Sequence, residues 1–415
     1  MLPPTQTPMK TYLPALLLAT CPVLAESPAP YAADVKFLSE HTKIIELTNG
    51  KASVAVAPAY QGRVMTSTAN GPAGTSFGWL NYKLIKQGVL TTELPSDRLE
   101  SHIYVFGGEE RFWLGPEGGQ YGIFFPKGAA FDFTHWKTPP PLDTEPFNTV
   151  STTATQADFE KSFTVTNHSG TRFDVAVKRS IRLLSEADIT QLLGVPLPGN
   201  VSVVAYQSTN ELTNRGSQAW TPENGLLSIW LLGMYQPSPQ TVVAIPFVQG
   251  DESQLGPVVN DAYFGKVPAD RLKVGNGVIF FKGDGAQRGK IGIPPQRSLG
   301  VAGSYSGEAK ALTLVLYDQP KNETRYVNSA WEKQEKPYSG DAINSYNDGS
   351  PEPGKPPLGP FYELETSSPA AALAPGATIT HRQTTIHLVA DDPNALDPVA
   401  KKHLRATIQQ IRSAF

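Results

Sequence analysis

The 415-residue sequence contains little cysteine, no basic tract and no long apolar run. Its one cysteine, Cys21, lies near the N-terminus, which excludes a disulfide framework and a cysteine-based zinc site. A membrane-spanning helix needs about 20 consecutive apolar residues, and no segment approaches that length. The formal net charge of −3 gives no attraction to nucleic acid or to an anionic membrane. We therefore expect a globular monomer that uses no cofactor and binds a neutral polar ligand such as a carbohydrate.

The first 25 residues have the three parts of a secretory signal. Lys10 supplies the charge, Tyr12–Thr20 the apolar core, and Val23-Leu24-Ala25 the small-residue cleavage site. We expect cleavage after Ala25, which predicts a secreted or periplasmic protein with a signal peptide at 1–25 and a linker at 26–34. Cys21 would then be removed, so stability has to come from a large core.

Helical periodicity is also scarce along most of the chain. Thirty-six glycines and 37 prolines separate short runs that are rich in Val, Ile, Phe, Tyr and Thr. This pattern predicts an all-β protein in which antiparallel sheets pack face to face. The predicted strands are 44–47, 52–57, 103–106, 122–125, 163–166, 173–184, 201–207, 226–232, 241–246, 277–282, 311–317, 361–366 and 378–388.

One helix is predicted at the end of the chain, within residues 393–415. Asp397 can cap it and Pro398 occupies the first helical position. Its apolar face is formed by Leu404, Ile408, Ile411 and Phe415, at i, i+4, i+7 and i+11. We expect this helix to pack on the outside of a sheet.

Two glutamates stand out in the predicted strand 361–366. Alternate residues of a strand point to the same face, so Glu363 and Glu365 project together while Tyr362 and Leu364 project the other way. Such residues lie about 7 Å apart, close enough for each carboxylate to change the proton affinity of the other. The pair is suited to acid–base chemistry.

The closing segment resembles a known superfamily. Glu365-Thr366 ends a strand, a Pro-Ala step follows, and Leu373-Ala374-Pro375-Gly376 leads into the last strand. This order is similar to the end of the aldose 1-epimerase (galactose mutarotase) superfamily, and residues 35–392 resemble an uncharacterised secreted branch of it. The resemblance implies an antiparallel β-supersandwich, with Glu365 as the catalytic base and Glu363 as the alternative. The resemblance supports the fold more strongly than it supports any activity.

An arginine near the N-terminal end also fits the resemblance. The stretch 59–67, AYQGRVMTS, is similar to the early Gly-Gly-Arg strand end of mutarotases, whose arginine contacts the sugar. Arg63 is the matching residue. Its five-donor fork suits vicinal hydroxyls, although an ion-paired surface arginine is an equal alternative.

The segment 102–125 is dense in glycine, acidic and aromatic residues. One interpretation is a sugar-binding loop in which Trp113 stacks on the apolar face of a pyranose. The alternative is a hairpin turn with Glu109 and Glu110 in solvent. The preferred site residues of this segment are Arg111, Trp113 and Glu117.

A second polar and aromatic cluster spans residues 326–349. It offers stacking faces and bidentate hydrogen-bonding groups, and its candidate ligand-binding residues are Trp331, Asp341, Asn344 and Asn347. Asn344, Tyr346 and Asp348 have the spacing of a calcium loop, but tyrosine is the wrong ligand, so no metal is predicted. A plain polar loop with an Asn-Asp-Gly turn is the alternative.

The proton donor is where the sequence departs from the superfamily, which uses histidines. Asn167-His168 lies in a predicted hairpin turn, which would leave His168 exposed. The acid candidates are therefore His102, Glu117 and Glu363. Two functions remain open, a carbohydrate-active enzyme of epimerase-like or glycan-degrading type, and a non-catalytic glycan-binding or scaffold protein of the same fold.

Overall fold

The computed structural model describes residues 29–92, 94–351 and 354–415. The predicted signal peptide and its cleavage site lie outside the described residues, so export stays a prediction. Seven α-helices lie in the described ranges: α1 (Tyr31–His41), α2 (Tyr82–Gln87), α3 (Pro140–Asp143), α4 (Glu186–Leu193), α5 (Glu252–Leu255), α6 (Asp397–Leu404) and α7 (Ile408–Arg412). No helix of the described part is long and apolar enough to cross a membrane.

Eighteen strands lie in the described part of the chain. They are β1 (Ile45–Asn49), β2 (Ala52–Ala57), β3 (Arg63–Thr68), β4 (Arg111–Gly115), β5 (Asn148–Thr152), β6 (Gln156–Thr166), β7 (Arg172–Leu183), β8 (Ser202–Asn214), β9 (Ser228–Tyr235), β10 (Thr241–Pro246), β11 (Leu272–Gly275), β12 (Val278–Lys282), β13 (Gly289–Ile293), β14 (Val301–Ser306), β15 (Ala311–Tyr317), β16 (Ile343–Asn347), β17 (Tyr362–Ser367) and β18 (Thr378–Val389).

These strands form three sheets. The first has the order β1-β2-β3, the second the order β11-β12-β10-β14-β15-β18-β8-β7-β6-β5, and the third the order β13-β16-β17-β9-β4. Their ladders are antiparallel. The predicted antiparallel β-supersandwich is therefore confirmed.

The ten-stranded and five-stranded sheets pack face to face. One core joins Leu364 and Tyr362 of β17 to apolar side chains of β10, β12, β14 and β15. A second, larger core lies under the three-stranded sheet and the loops that follow it. Because one face of the five-stranded sheet is used in the core, its charged side chains project from the other face.

The C-terminal helical segment is present, but it consists of two short helices. Arg405 adopts a left-handed backbone conformation with φ of 56°, which ends α6. Thr407 then forms a capping box with Gln410 and starts α7. The predicted apolar residues Leu404, Ile408 and Ile411 are all buried against the outer face of the ten-stranded sheet.

Several local predictions differ from the structure. Segments 103–106 and 122–125 are irregular rather than extended, and β4 occupies part of the predicted glycine-rich turn. Helix α1 begins at Tyr31, inside the predicted linker, and it buries Asp34, which accepts a hydrogen bond from the Ser76 hydroxyl at 2.5 Å. The N-terminal helix is thereby tied to the three-stranded sheet.

Candidate functional site

One face of the five-stranded sheet gathers most of the polar residues singled out from the sequence. The antiparallel registers define a row across all five strands, through Arg111, Leu232, Glu365, Asn344 and Gly292. Neighbouring rows on this face contain Met234, Glu363, Tyr346 and Lys290 on one side, and Trp113, Trp230 and Ser367 on the other. Side chains far apart in sequence therefore meet in one patch.

Glu365 lies near the centre of this face and is only 1% exposed. Its Oε2 accepts hydrogen bonds from Nε1 of Trp230 at 2.9 Å and from Nζ of Lys290 at 3.0 Å. Its Oε1 is buried and has no hydrogen-bond partner among the described residues. A buried acceptor without a partner is unfavourable, so Oε1 is suited to accept a hydrogen bond from a ligand hydroxyl.

Lys290 is the counter-charge of Glu365, and 12% of its side chain is exposed. Its ammonium lies 5.0 Å from the ring centre of Trp230 and 5.6 Å from that of Tyr263. Burial alone would lower the pKa of Lys290, but the carboxylates of Glu365, Glu117 and Glu363 outweigh burial and raise it. Lys290 therefore stays positively charged and stabilises the Glu365 carboxylate.

Glu363 shares the face with Glu365, as the strand spacing predicts, but it is engaged by Arg111. Nη2 of Arg111 donates a hydrogen bond to Oε1 of Glu363, and both side chains are almost fully buried. Burial raises the pKa of Glu363, and the Arg111 guanidinium opposes that rise. Glu363 and Glu365 are therefore held by different cations, Arg111 and Lys290.

A small cleft lies on this face, and we call it the Lys290 cleft. It is lined by Gly115, Ser228, Trp230, Tyr263, Lys290, Val327, Ser329, Asp341, Asn344 and Ser367. Glu365 is not a lining residue, because Lys290 and Trp230 lie between its carboxylate and the cleft. The Ser228 hydroxyl is fully buried and has no partner among the described residues.

Asp341, Tyr263 and Asn344 form a hydrogen-bonded group at the edge of the cleft. The Tyr263 hydroxyl donates to Oδ2 of Asp341 and accepts from Nδ2 of Asn344 at 3.1 Å. Burial raises the pKa of Asp341 to about 6, against the opposing effects of Tyr263, Asn260 and Lys290. This carboxyl group can therefore carry a proton close to neutral pH.

Glu117 and Trp331 meet beside the cleft. The indole Nε1 of Trp331 donates to Oε1 of Glu117 at 3.0 Å. Burial raises the pKa of Glu117, and Lys290 acts in the opposite direction. The Trp331 ring stacks on Trp136 with 5.8 Å between ring centres, so part of its surface is covered by the protein.

Trp113 is on the cleft side of the sheet but offers no free stacking face. The Arg111 guanidinium lies 4.8 Å from its ring centre, and Trp230 packs against it edge to face at 5.5 Å. Its indole Nε1 donates to the carbonyl oxygen of Leu142 at 3.1 Å. The predicted sugar-stacking platform is therefore part of the protein core.

Arg63 and His102 are enclosed by the protein. Arg63 is 1% exposed, and its Nη1 and Nη2 donate to the Gly107 carbonyl and to Oε1 of Gln61. Both ring nitrogens of His102 lie within 2.7 Å of backbone carbonyl oxygens, those of Trp136 and Ser96. Neither residue lines the cleft, so the predicted sugar contact of Arg63 and the acid role of His102 do not fit this geometry.

The alternative that placed Glu109 and Glu110 in solvent is wrong, since both are completely buried. Oε2 of Glu109 accepts from the Ser67 hydroxyl at 2.9 Å and lies 3.0 Å from Nε2 of His387. Glu110 forms an ion pair with Arg179 at 2.8 Å in which neither side chain is exposed. These acids join the sheets together rather than form a turn.

The prediction that Asn347 binds a ligand does not fit the face of the sheet on which Asn347 lies. It alternates with Asn344 and Tyr346 along β16, so it faces away from the cleft. Its Nδ2 donates to the carbonyl of Gln287 at 2.9 Å, and its Oδ1 accepts from the amide of Gly285 at 2.9 Å. Its role is to hold the loop before β13.

Asn347→Ala is accordingly expected to lower the free energy of unfolding by about 1–3 kcal/mol, because it leaves buried polar groups of the Gln287 loop unpaired. Ligand affinity measured on the folded fraction should stay unchanged. Chemical unfolding and calorimetric titration of the same preparation would measure both quantities. A selective loss of affinity at unchanged stability would show that Asn347 does contact ligand.

The residues that sequence reasoning missed are Lys290, Tyr263, Trp230 and Ser228. Lys290 lies in β13, a short edge strand of the sequence GKIGI that carries no strong strand pattern. Its partner Glu365 is 75 positions away, so no local spacing reveals the pair. Trp230 and Ser228 lie in the predicted strand 226–232, but its almost continuous apolar run, LLSIWLL, does not show which face they are on. Among the described residues, no group of three or more His, Cys, Asp or Glu could hold a metal ion.

Residues 29–415 match the family model described as "Family of unknown function (DUF6786)". The chain belongs to this family. No curated protein matches the sequence of this DUF6786 chain.

Solved structures similar to this DUF6786 chain include proteins described as aldose 1-epimerase and galactose mutarotase-like. A candidate aldose 1-epimerase from Escherichia coli K12 is 14% identical, with 83% of this chain and 98% of that chain covered and a TM-score of 0.47. A galactose mutarotase-like protein from Lactobacillus casei is 10% identical, with 83% and 100% covered and a TM-score of 0.43. A galactose mutarotase related enzyme from Lactobacillus acidophilus is 9% identical, with 84% and 99% covered and a TM-score of 0.42.

Proposed function

We propose that this protein binds a carbohydrate in the Lys290 cleft and moves protons at the anomeric centre, with Glu365 as the base. The observation that carries the proposal is the unpartnered Oε1 of Glu365 next to a cleft that also contains the unpartnered hydroxyl of Ser228. Sugar hydroxyls are both donors and acceptors, so one ligand can satisfy both atoms. Trp230 and Tyr263 add aromatic surface, which suits the apolar face of a sugar ring.

The contact between Lys290 and Glu365 also bears on the proposal. The Lys290 ammonium lies 3.0 Å from Oε2 of Glu365, so a positive charge lies beside the group assigned as base. Lys290 lies in front of this carboxylate, so it has to move aside or share the carboxylate with the substrate. The ammonium would then stabilise negative charge that develops on a sugar oxygen.

A non-catalytic glycan-binding protein is the second candidate, and the same contact favours it. The Lys290 and Trp230 contacts occupy Oε2 of Glu365 and cover it from the cleft. If Lys290 keeps this position with ligand bound, the cleft binds sugar without reaching the base.

The two candidates are separated by measuring binding and turnover on one panel of D-galactose, D-glucose, their methyl glycosides and short oligosaccharides. Calorimetry measures affinity, polarimetry measures mutarotation, and a reducing-end assay measures cleavage. Binding with turnover supports the enzyme, and binding without turnover supports the glycan-binding protein. Absence of both would refute the carbohydrate proposal.

Substitution of two buried serines on opposite faces of the same sheet tests whether the ligand binds on the cleft face. Ser228→Ala removes a hydroxyl that has no protein partner, so we expect affinity to fall about 3- to 10-fold, the effect of one hydrogen bond, at unchanged stability. Ser345→Ala is the matched control, since its hydroxyl donates to the Glu363 carbonyl at 2.7 Å on the core side. The control should lose stability and keep affinity.

A further inference from the structure

We infer that Asp341 is the proton donor that works opposite Glu365, an inference that rests on the proposed function of the Lys290 cleft. Asp341 is half-buried and lines the cleft, and it lies two residues before the strand that carries Asn344. Glu365 lies on the adjacent strand, directly opposite Asn344. The Asp341 carboxyl group packs over Gly292, which pairs with Asn344 on the other side, so both carboxyl groups lie on the cleft face of the sheet.

The contacts of Asp341 hold one oxygen and leave the other to the cleft. Oδ2 accepts from the Tyr263 hydroxyl and from Nδ2 of Asn260 at 3.4 Å. Nδ2 of Asn344 fixes the Tyr263 hydroxyl from the other side. No hydrogen bond to Oδ1 occurs among the described residues, so this oxygen can meet a ligand.

Gly292 provides the space that the Asp341 carboxyl group occupies. A Cβ atom at position 292 would lie 2.1 Å from Oδ2 and 2.5 Å from the carboxyl carbon of Asp341. Gly292 pairs with Asn344, which pairs with Glu365, so Asp341 sits two strand spacings from the base. Two spacings are about 10 Å at the backbone, so a ligand that meets both carboxyl groups has to lie across the Asn344 side chain between them.

The two carboxyl groups have different surroundings. The titratable and charged groups that face Asp341 are Tyr263 from the loop before β11 and Lys290 from β13. Burial outweighs both and raises the pKa of Asp341 to about 6, while Glu365 forms an ion pair with Lys290. A carboxyl group that can hold a proton close to neutral pH is suited to donate it in acid–base catalysis.

The other candidate donors are less well placed. Glu363 is engaged by Arg111, and both nitrogens of His102 are taken by backbone carbonyls. Glu117 has a raised pKa, but it does not line the cleft and its Oε1 accepts from Trp331. Asp341 alone among these acids combines a cleft position, a held orientation and an oxygen free of protein contacts in the described structure.

The step assigned to Asp341 is ring opening of a hexose. Glu365 takes the proton of the anomeric hydroxyl, the C1–O1 bond becomes the aldehyde C=O, and the C1–O5 bond breaks. The bonding pair moves to O5, which receives the proton of Asp341. The products are the open-chain sugar, protonated Glu365 and ionised Asp341, and ring closure reverses each transfer.

The test compares Asp341→Asn with Asp318→Asn, a surface carboxylate whose side chain is 63% exposed. With D-galactose as probe, Asp341→Asn should lower the mutarotation rate about 100-fold and change the sugar affinity less than about 3-fold. The wild-type rate should fall as the pH rises through about 6, because Asp341 then loses the proton that it donates. This fall in rate should be absent in Asp341→Asn and present in Asp318→Asn.

Gly292→Ala supplies a readout that needs no sugar. The added methyl group displaces the Asp341 carboxyl, so its carbon-13 resonance should titrate below the wild-type midpoint. An unchanged rate in Asp341→Asn, or a wild-type Asp341 resonance that titrates near 4, overturns the inference. If Glu365→Gln abolishes turnover while Asp341→Asn does not, the assignment of Asp341 is refuted and the proposed function of Glu365 is retained. Absence of turnover in the wild type overturns the catalytic proposal as well.

Discussion

Glu365→Gln is expected to reduce turnover of the panel sugar by about 10²- to 10⁴-fold, the range for loss of a positioned acid–base group. Glutamine keeps the shape and can still accept from Trp230, but it cannot take a proton. Sugar affinity should change by less than about 5-fold, since the amide still offers a hydrogen-bonding atom in place of Oε1. Initial rates and calorimetric affinities on the same protein measure the two effects.

Glu363→Gln is the matched control for Glu365→Gln. It alters a second carboxylate on the same strand and face, but one that is held by Arg111. Its rate effect should be smaller, because Glu363 influences Glu365 only through charge. Glu365→Gln also removes the counter-charge of Lys290, so melting temperatures have to be compared. A destabilised Glu365→Gln protein with full activity per folded molecule would show that Glu365 is structural.

Arg179→Met should lower the free energy of unfolding by about 3–5 kcal/mol, the usual effect of breaking a buried ion pair. Neither Arg179 nor Glu110 is exposed. Arg179 also donates to the Gly62 carbonyl at 3.1 Å and to Oδ1 of Asn210 at 2.5 Å. The substitution leaves the Glu110 carboxylate buried without its cation. Nε2 of Gln383 still donates a hydrogen bond to it at 2.8 Å.

Urea unfolding monitored by circular dichroism measures this loss. Arg172→Met is the control, since its pair with Asp174 is exposed and should contribute far less to stability than the buried pair. The double variant Arg179→Met/Glu110→Met should recover part of the lost stability, because no unpaired charge remains. Equal stability losses in Arg179→Met and Arg172→Met would contradict the assignment of a buried cross-sheet pair.

The fold was predictable because its strands carry alternation and the closing segment has a recognisable order. Both signals are local, and β17 with its two glutamates was placed correctly from them. The strand β4 was missed because its sequence, RFWLG, lies between glycine-rich stretches that favour a turn. Burial of Glu110 depends on Arg179, which is 69 residues away, and no local pattern contains that information.

The errors in the site have a similar origin. Asn344 and Asn347 were grouped together because β16 was read as a loop, and faces can be assigned only once a strand is known. Lys290 and Tyr263 were missed because their contacts are with residues far away in the sequence, and no local pattern marks either of them. The sequence therefore predicted the strand that carries Glu363 and Glu365, but not which residues surround them.

The position of β13 in its sheet determines how the site can move. β17 is bonded to a strand on each side, so shifting Glu365 would break two ladders. β13 is the edge strand, and in the described part of the chain its outer side makes only the isolated bridge between Gly292 and Asn260. Opening free energies are lowest where few backbone bonds hold a segment. We therefore expect the strand that carries Lys290 to open more readily than the strand that carries Glu365, so the amides of β13 should exchange with solvent before those of β17.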